Sequence, residues 1–100
     1  MKWELVIDYK SILKFAEEVC PKAILIDGYD NCITGIVLSP NSSKIVYSSF
    51  AIIREIMSSD GATYSEALDY FEFNIVGGLV SFHEDYSPIL KEDLQQANLN

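Results

Sequence analysis

Basic residues are scarce in this chain. Seven lysines and arginines stand against fifteen acids, for a formal net charge of −8 and an isoelectric point near 4.3. Affinity for a phosphate backbone rests on clustered Lys and Arg, so this balance argues against direct binding to nucleic acid. Cysteine is as sparse: Cys20 and Cys32 fit neither a disulfide framework nor a Cys-x-x-Cys metal pair, and His83 is the one histidine available to join them. Both thiols read as small buried or idle hydrophobes. Long apolar runs are missing too. AILI and FAIIREIM fall far short of the roughly 20 residues of a membrane span, and acids in MKWELVIDYK interrupt the place where a signal peptide is plainly apolar. The expectation is a protein that stays in the cytoplasm where it is made.

What is present suits one small domain. The 100 residues, 49% of them hydrophobic, are enough for one core and too few for two, so residues 1–100 are expected to form a single α+β unit with a tail that frays from about 92. WELVI can extend as a strand. From Asp8 onward Ile12, Leu13, Phe15, Ala16 and Val19 repeat at helical spacing, which predicts a helix over 9–20, capped by Asp8 and stopped by Pro21. CITGIVL and KIVY, joined by the turn formers of SPNSS, predict an antiparallel hairpin over 32–47. A second helix follows over 49–58, with Ser48 or Ser49 as cap and Gly61 at the left-handed stop. Thr63 and Glu66 then make a T-x-x-E capping box ahead of Tyr64, Ala67, Leu68, Phe71 and Ile75, predicting a third helix over 64–76. Gly77 and Gly78 either end it or mark a close backbone approach.

Candidate chemistry is thin. Asp27-Gly28-Tyr29-Asp30-Asn31 places two carboxylates between apolar runs, yet as a calcium loop it fails where Tyr29, Cys32 and Leu38 replace the ligands and the glycine required. A magnesium site on Asp27 and Asp30 would want a phosphate cradle, and no P-loop lysine accompanies it. The loop reads as structural, with Gly28 supplying a positive φ and Asp and Asn closing a turn on their own backbone. Asn74, inside YFEFNIV, must find a partner or face water, and the DGYDN loop is a natural donor of one. His83 has Glu84 and Asp85 beside it, but no nucleophile stands in a known local signature, so neither a catalytic role nor a cofactor is expected. Glu66, Asp69 and Glu72 fall three residues apart in a tilted row along the third helix. Glu66 serves the capping box. Asp69 and Glu72, with Glu84 and Asp85, are either a solvated face or an acidic surface offered to a basic partner.

The blocks DGYDNCITGI, IVYSSFAIIREIM and DGATYSEALDYFEFNIVGG resemble a family of small uncharacterised proteins encoded by tailed bacteriophages. Its members share D-G-x-D-x-x-I-x-G, a V-Y before a short helix, D-G-x-x-x-x-E-A-x-x-Y-F-E-F-N, and a terminal T-P-I-like segment. Asp27, Gly28, Asp30, Ile33, Gly35, Val46, Tyr47, Asp60, Gly61, Glu66, Ala67, Tyr70, Phe71, Glu72, Phe73, Asn74 and Pro88 occupy those positions, over about residues 24–90. The chain departs from the pattern near 81–87, where FHEDYS lengthens the turn before the proline. The resemblance implies a phage or prophage origin and a host-cell cytoplasm. By analogy with other small acidic phage proteins, it implies a non-enzymatic protein that binds and inhibits a host factor with a basic, nucleic-acid-binding surface, such as a CRISPR effector. The alternative is an accessory domain acting through a homodimer, with Trp3, Tyr70 or Phe82 at its interface. A metal-dependent enzyme built on Asp27 and Asp30 is a third, weaker reading.

Overall fold

In the computed structural model, residues 8–38, 43–82 and 84–91 are described. Trp3, His83 and the tail from 92 lie outside them. Helix α1 spans Tyr9–Val19; the Asp8 carboxylate accepts the Ser11 N–H at 2.9 Å and caps it. That bond holds the Asp8 carboxyl below its usual range. α1 buries Ile12 and Ala16, whereas Phe15 and Val19, expected on the same apolar face, are exposed.

After α1 an extended segment reaches a single 3₁₀ turn at Asp30–Cys32, and the hairpin follows. Strand β1 (Ile33–Leu38) pairs antiparallel with β2 (Ser43–Ser48). The register runs Ile33 to Tyr47 and then Gly35 to Val46, so Thr34 is an extra residue, a bulge at the start of β1. Its hydroxyl donates to the Val46 carbonyl at 3.4 Å. On β2 the alternate residues Ile45 and Tyr47 are wholly buried, as a strand with one face on the core requires.

α2 (Ser49–Asp60) follows β2 directly. The Ser48 hydroxyl accepts the Ala51 N–H at 3.0 Å, and Gly61 ends the helix at φ 67°. Both ends match the signals in SSF and SSDG. The capping box is also formed: Thr63 Oγ1 accepts the Glu66 N–H at 3.2 Å, and Glu66 Oε1 accepts the Thr63 N–H at 2.9 Å. α3 (Tyr64–Tyr70) then passes without a break into a π-helical stretch, Phe71–Val76, and on into a last turn, α4 (Gly77–Leu79). Neither glycine stops the helix. Gly77 instead donates its N–H to Glu72, five residues back, which is the widened turn itself.

The widened turn has a cause in the sequence. Ala67, Phe71 and Ile75 are buried, Leu68 and Leu79 pack against the same core, and the main inward row 67, 71, 75 and 79 recurs every four positions. An α-helix of 3.6 residues per turn drifts about 40° at each such step. Inserting a wider turn offsets the drift and keeps the row on the core.

β3 (Ile89–Lys91) completes a three-stranded sheet of order β1-β2-β3, lying parallel to β2. The α+β class and the antiparallel hairpin are as expected; the parallel edge strand adds an element that no local signal in the sequence announces. α1 lies against β1, α2 against β2, and α3 packs on α2 as an outer layer. Two bonds tie the segment 23–26 across this core: Ile24 N–H to the Tyr86 carbonyl and Ile26 N–H to the Tyr47 hydroxyl, both at 2.8 Å. Among the described residues no helix is long and apolar enough to cross a membrane.

Candidate protein-interaction surface

The DGYDN loop is a backbone-closed turn. Gly28 takes φ 91°, Tyr29 N–H donates to the Ile26 carbonyl at 3.3 Å and Cys32 N–H to the Tyr29 carbonyl at 2.9 Å. Asp27 and Asp30 are exposed, and among the described residues no three potential metal-ligating side chains cluster. Tyr29 is the member that faces inward; burial raises its phenol, helped by neighbouring Tyr70 and Asp60. The structural reading of the loop therefore rests on Gly28 and Tyr29 rather than on aspartate side chains.

Asn74 is corrected by the fold. It is exposed on the helical run 64–79, so water satisfies its amide and the need for the DGYDN loop as a partner disappears. The Asp85 expectation also changes: it is half-buried and already partnered, not a free surface charge. Asp69, Glu72 and Glu84 are exposed. The four acids grouped by sequence divide between two places. Asp69 and Glu72 lie on the outward side of residues 64–79, whereas Glu84 and Asp85 stand in a turn that Tyr86 fixes to Ile24, with the Lys22 ammonium 6.0 Å from the Tyr86 ring.

A hollow of about 640 Å³ opens beside α2 and the 3₁₀ turn, with Cys32, Arg54, Glu55 and Ser58 in its walls. Burial raises the Cys32 thiol to about 11, so it stays protonated at neutral pH and is a poor nucleophile. The Arg54 guanidinium leans over the Phe50 ring at 5.7 Å. The hydroxyls of Thr34, Ser59 and Ser81 all donate to backbone carbonyls.

Charge and apolar exposure meet instead on the outer helix. Between Arg54 and Lys91 the chain has no lysine or arginine, while Glu55, Asp60, Glu66, Asp69, Glu72, Glu84 and Asp85 all fall there. Within that acidic stretch, Phe73 is 80% exposed and Val80 83%, with Tyr70, Val76 and Phe82 also open to solvent. Large apolar side chains at such exposure, set about one turn apart along the helical run 64–79 and just past its end, are the kind of surface that marks an interaction site. Sequence periodicity pointed to the buried row and the acids, and passed over Phe73 and Val80. Their signal was available: once positions 67, 71, 75 and 79 are assigned inward, residues 73, 76 and 80 have no place in the core.

No protein-family model, curated protein or solved structure matches this chain.

Proposed function

We propose that this chain is a non-enzymatic binding protein of phage origin that inhibits a host factor, such as a component of a CRISPR-type defence system, by occupying a basic surface the factor uses for nucleic acid. The observation that supports this reading most is the coincidence of the lysine- and arginine-free stretch 55–90 with the exposed apolar residues of the outer helix. Carboxylates of one sign steer a basic partner and suppress wrong ones, and exposed aromatic and aliphatic residues supply the contact that outlasts the encounter.

Self-association is the second reading, favoured by the exposure of Phe73 and Val80. A two-fold contact through this face would set the acidic stretch of one copy, which holds Asp69, Glu72 and Glu84, against that of the other. Like charges facing each other oppose that arrangement, so a basic partner fits the face better.

The test is affinity capture from a bacterial host lysate, followed by addition of the protein to the captured factor bound to its labelled nucleic acid. Wild type should displace the nucleic acid. Asp69→Lys with Glu72→Lys should displace it poorly, most visibly at low salt, where exposed charges are least screened. Capture of no nucleic-acid-binding factor, or equal displacement by the charge-reversed variant, counts against the proposal.

A further inference from the structure

We infer that Phe73, Val76 and Val80 form a short packing seam for a basic amphipathic helix of the partner protein. This rests on the binding reading above and names the element recognised. The three residues are spaced by three and four on the side opposite the buried row Ala67, Phe71 and Ile75, and they are 80%, 39% and 83% exposed. From Phe73 to Val80 the seam runs about 10 Å at 1.5 Å per residue. A ridge with this spacing fits the groove between side chains of a second helix at the usual interaxial distance of about 8–10 Å.

The charge pattern decides what that second helix carries. Glu72 adjoins Phe73 in sequence, Asp69 lies one turn before it, and no cation occurs between residues 54 and 91 to neutralise them. A helix with lysine or arginine flanking its apolar stripe places each cation beside a carboxylate, the arrangement that fixes pairing and orientation at helix seams. A helix with acidic flanks is repelled. So brief a seam needs both parts: the apolar residues slow dissociation, and the carboxylates speed association.

The experiment uses the full chain and a fluorescent synthetic helix about 18 residues long, with leucines at i, i+3, i+4 and i+7 positions and lysines elsewhere. Two companions are a peptide of the same composition scrambled to destroy the stripe, and one with glutamate in place of lysine. The lysine amphipath should bind with a dissociation constant on the order of micromolar. Phe73→Ala and Val80→Ala should each raise its dissociation rate about tenfold or more with little dependence on salt, and Phe73→Leu should recover part of the loss. Circular dichroism and an unchanged melting temperature confirm that these exposed positions leave the fold intact.

Equal binding of the scrambled lysine peptide, or no effect of Phe73→Ala, overturns the seam and leaves the acidic-surface reading standing. Failure of every lysine peptide to bind overturns both. Binding of the glutamate peptide as tightly as the lysine one overturns the basic partner. A concentration-dependent dimer in sedimentation that Phe73→Ala abolishes assigns the seam to a second copy of this chain and overturns the inference.

Discussion

Tyr47→Phe removes one oxygen from the centre of the core and nothing else of consequence. The ring is fully buried and would stay in place, so no cavity opens. What is lost is the acceptor for the Ile26 N–H, a bond of 2.8 Å made in the interior. Leaving a buried donor unpaired costs about 1–3 kcal/mol, a large share of the roughly 5–15 kcal/mol that holds a small domain together. At about 4–8 °C per kcal/mol for a chain of this size, the melting temperature should fall by roughly 4–24 °C. Urea denaturation gives the free energy, and hydrogen exchange gives its location, because the Ile26 amide should lose protection before the amides of β2. Alkali supplies an independent check. Burial pushes the Tyr47 phenol up to about 12. An unfolded phenol titrates near 10 and so releases its proton first, which means wild-type stability is full below about pH 10 and declines as pH rises toward 12. Tyr47→Phe should flatten that decline. A change under about 0.5 kcal/mol with the Ile26 amide still protected would refute the claim that this hydroxyl anchors segment 23–26.

Cys32, buried with its thiol held near 11, should react with iodoacetamide far more slowly than half-buried Cys20 in native protein, and the two should converge in urea; mass spectrometry of the labelled peptides reads the ratio. Thr63→Ala removes half of the capping box and should cost about 0.5–2 kcal/mol in chemical denaturation. Gly61→Ala forces a β-carbon into φ 67° and should cost about 1–2 kcal/mol, although nothing lies within 4 Å of the added atom, so the loss is conformational rather than steric crowding by neighbours. Asp27→Ala, at an exposed position of a backbone-closed turn, should stay within about 0.5 kcal/mol, and millimolar magnesium or calcium should leave the wild-type melting temperature where it is; a metal-induced rise of several degrees would revive the metal reading.

Local signals were legible wherever one side chain decides a backbone bond. Asp8, Ser48 and Thr63 announce helix starts because their oxygens reach an N–H two or three residues on, and Gly61 announces a stop because it takes a left-handed φ without strain. β2 was legible from its β-branched residues. Tertiary pairings were not. The parallel docking of Ile89–Lys91 on β2 depends on the chain returning across the sheet, and nothing in SPILK specifies which edge it joins. Phe15 and Val19 looked like core residues by spacing, yet the inward face of α1 is taken up by Ile12 and Ala16 with Tyr9 and Leu13 beside them.

The acidic half of the candidate surface was visible as charge, and its apolar half was passed over because the helical pattern was read for its buried face alone. At 100° per residue Phe73 and Val76 already point roughly 160° and 140° away from the centre of the row 67, 71 and 75, outside the inward face. With Ala67, Phe71 and Ile75 buried and Leu79 packed beside them, the inward side of residues 64–79 is already complete. Burying a phenylalanine is worth about 1.5–3 kcal/mol, and the fold takes almost none of it from Phe73. Stability therefore does not explain an aromatic at 73 or a β-branched residue at 80. Replacing either with a polar residue such as Ser should leave the denaturation midpoint within the range of surface substitutions while impairing binding. A variant that destabilised the fold by more than about 1 kcal/mol would show that these residues serve the core after all.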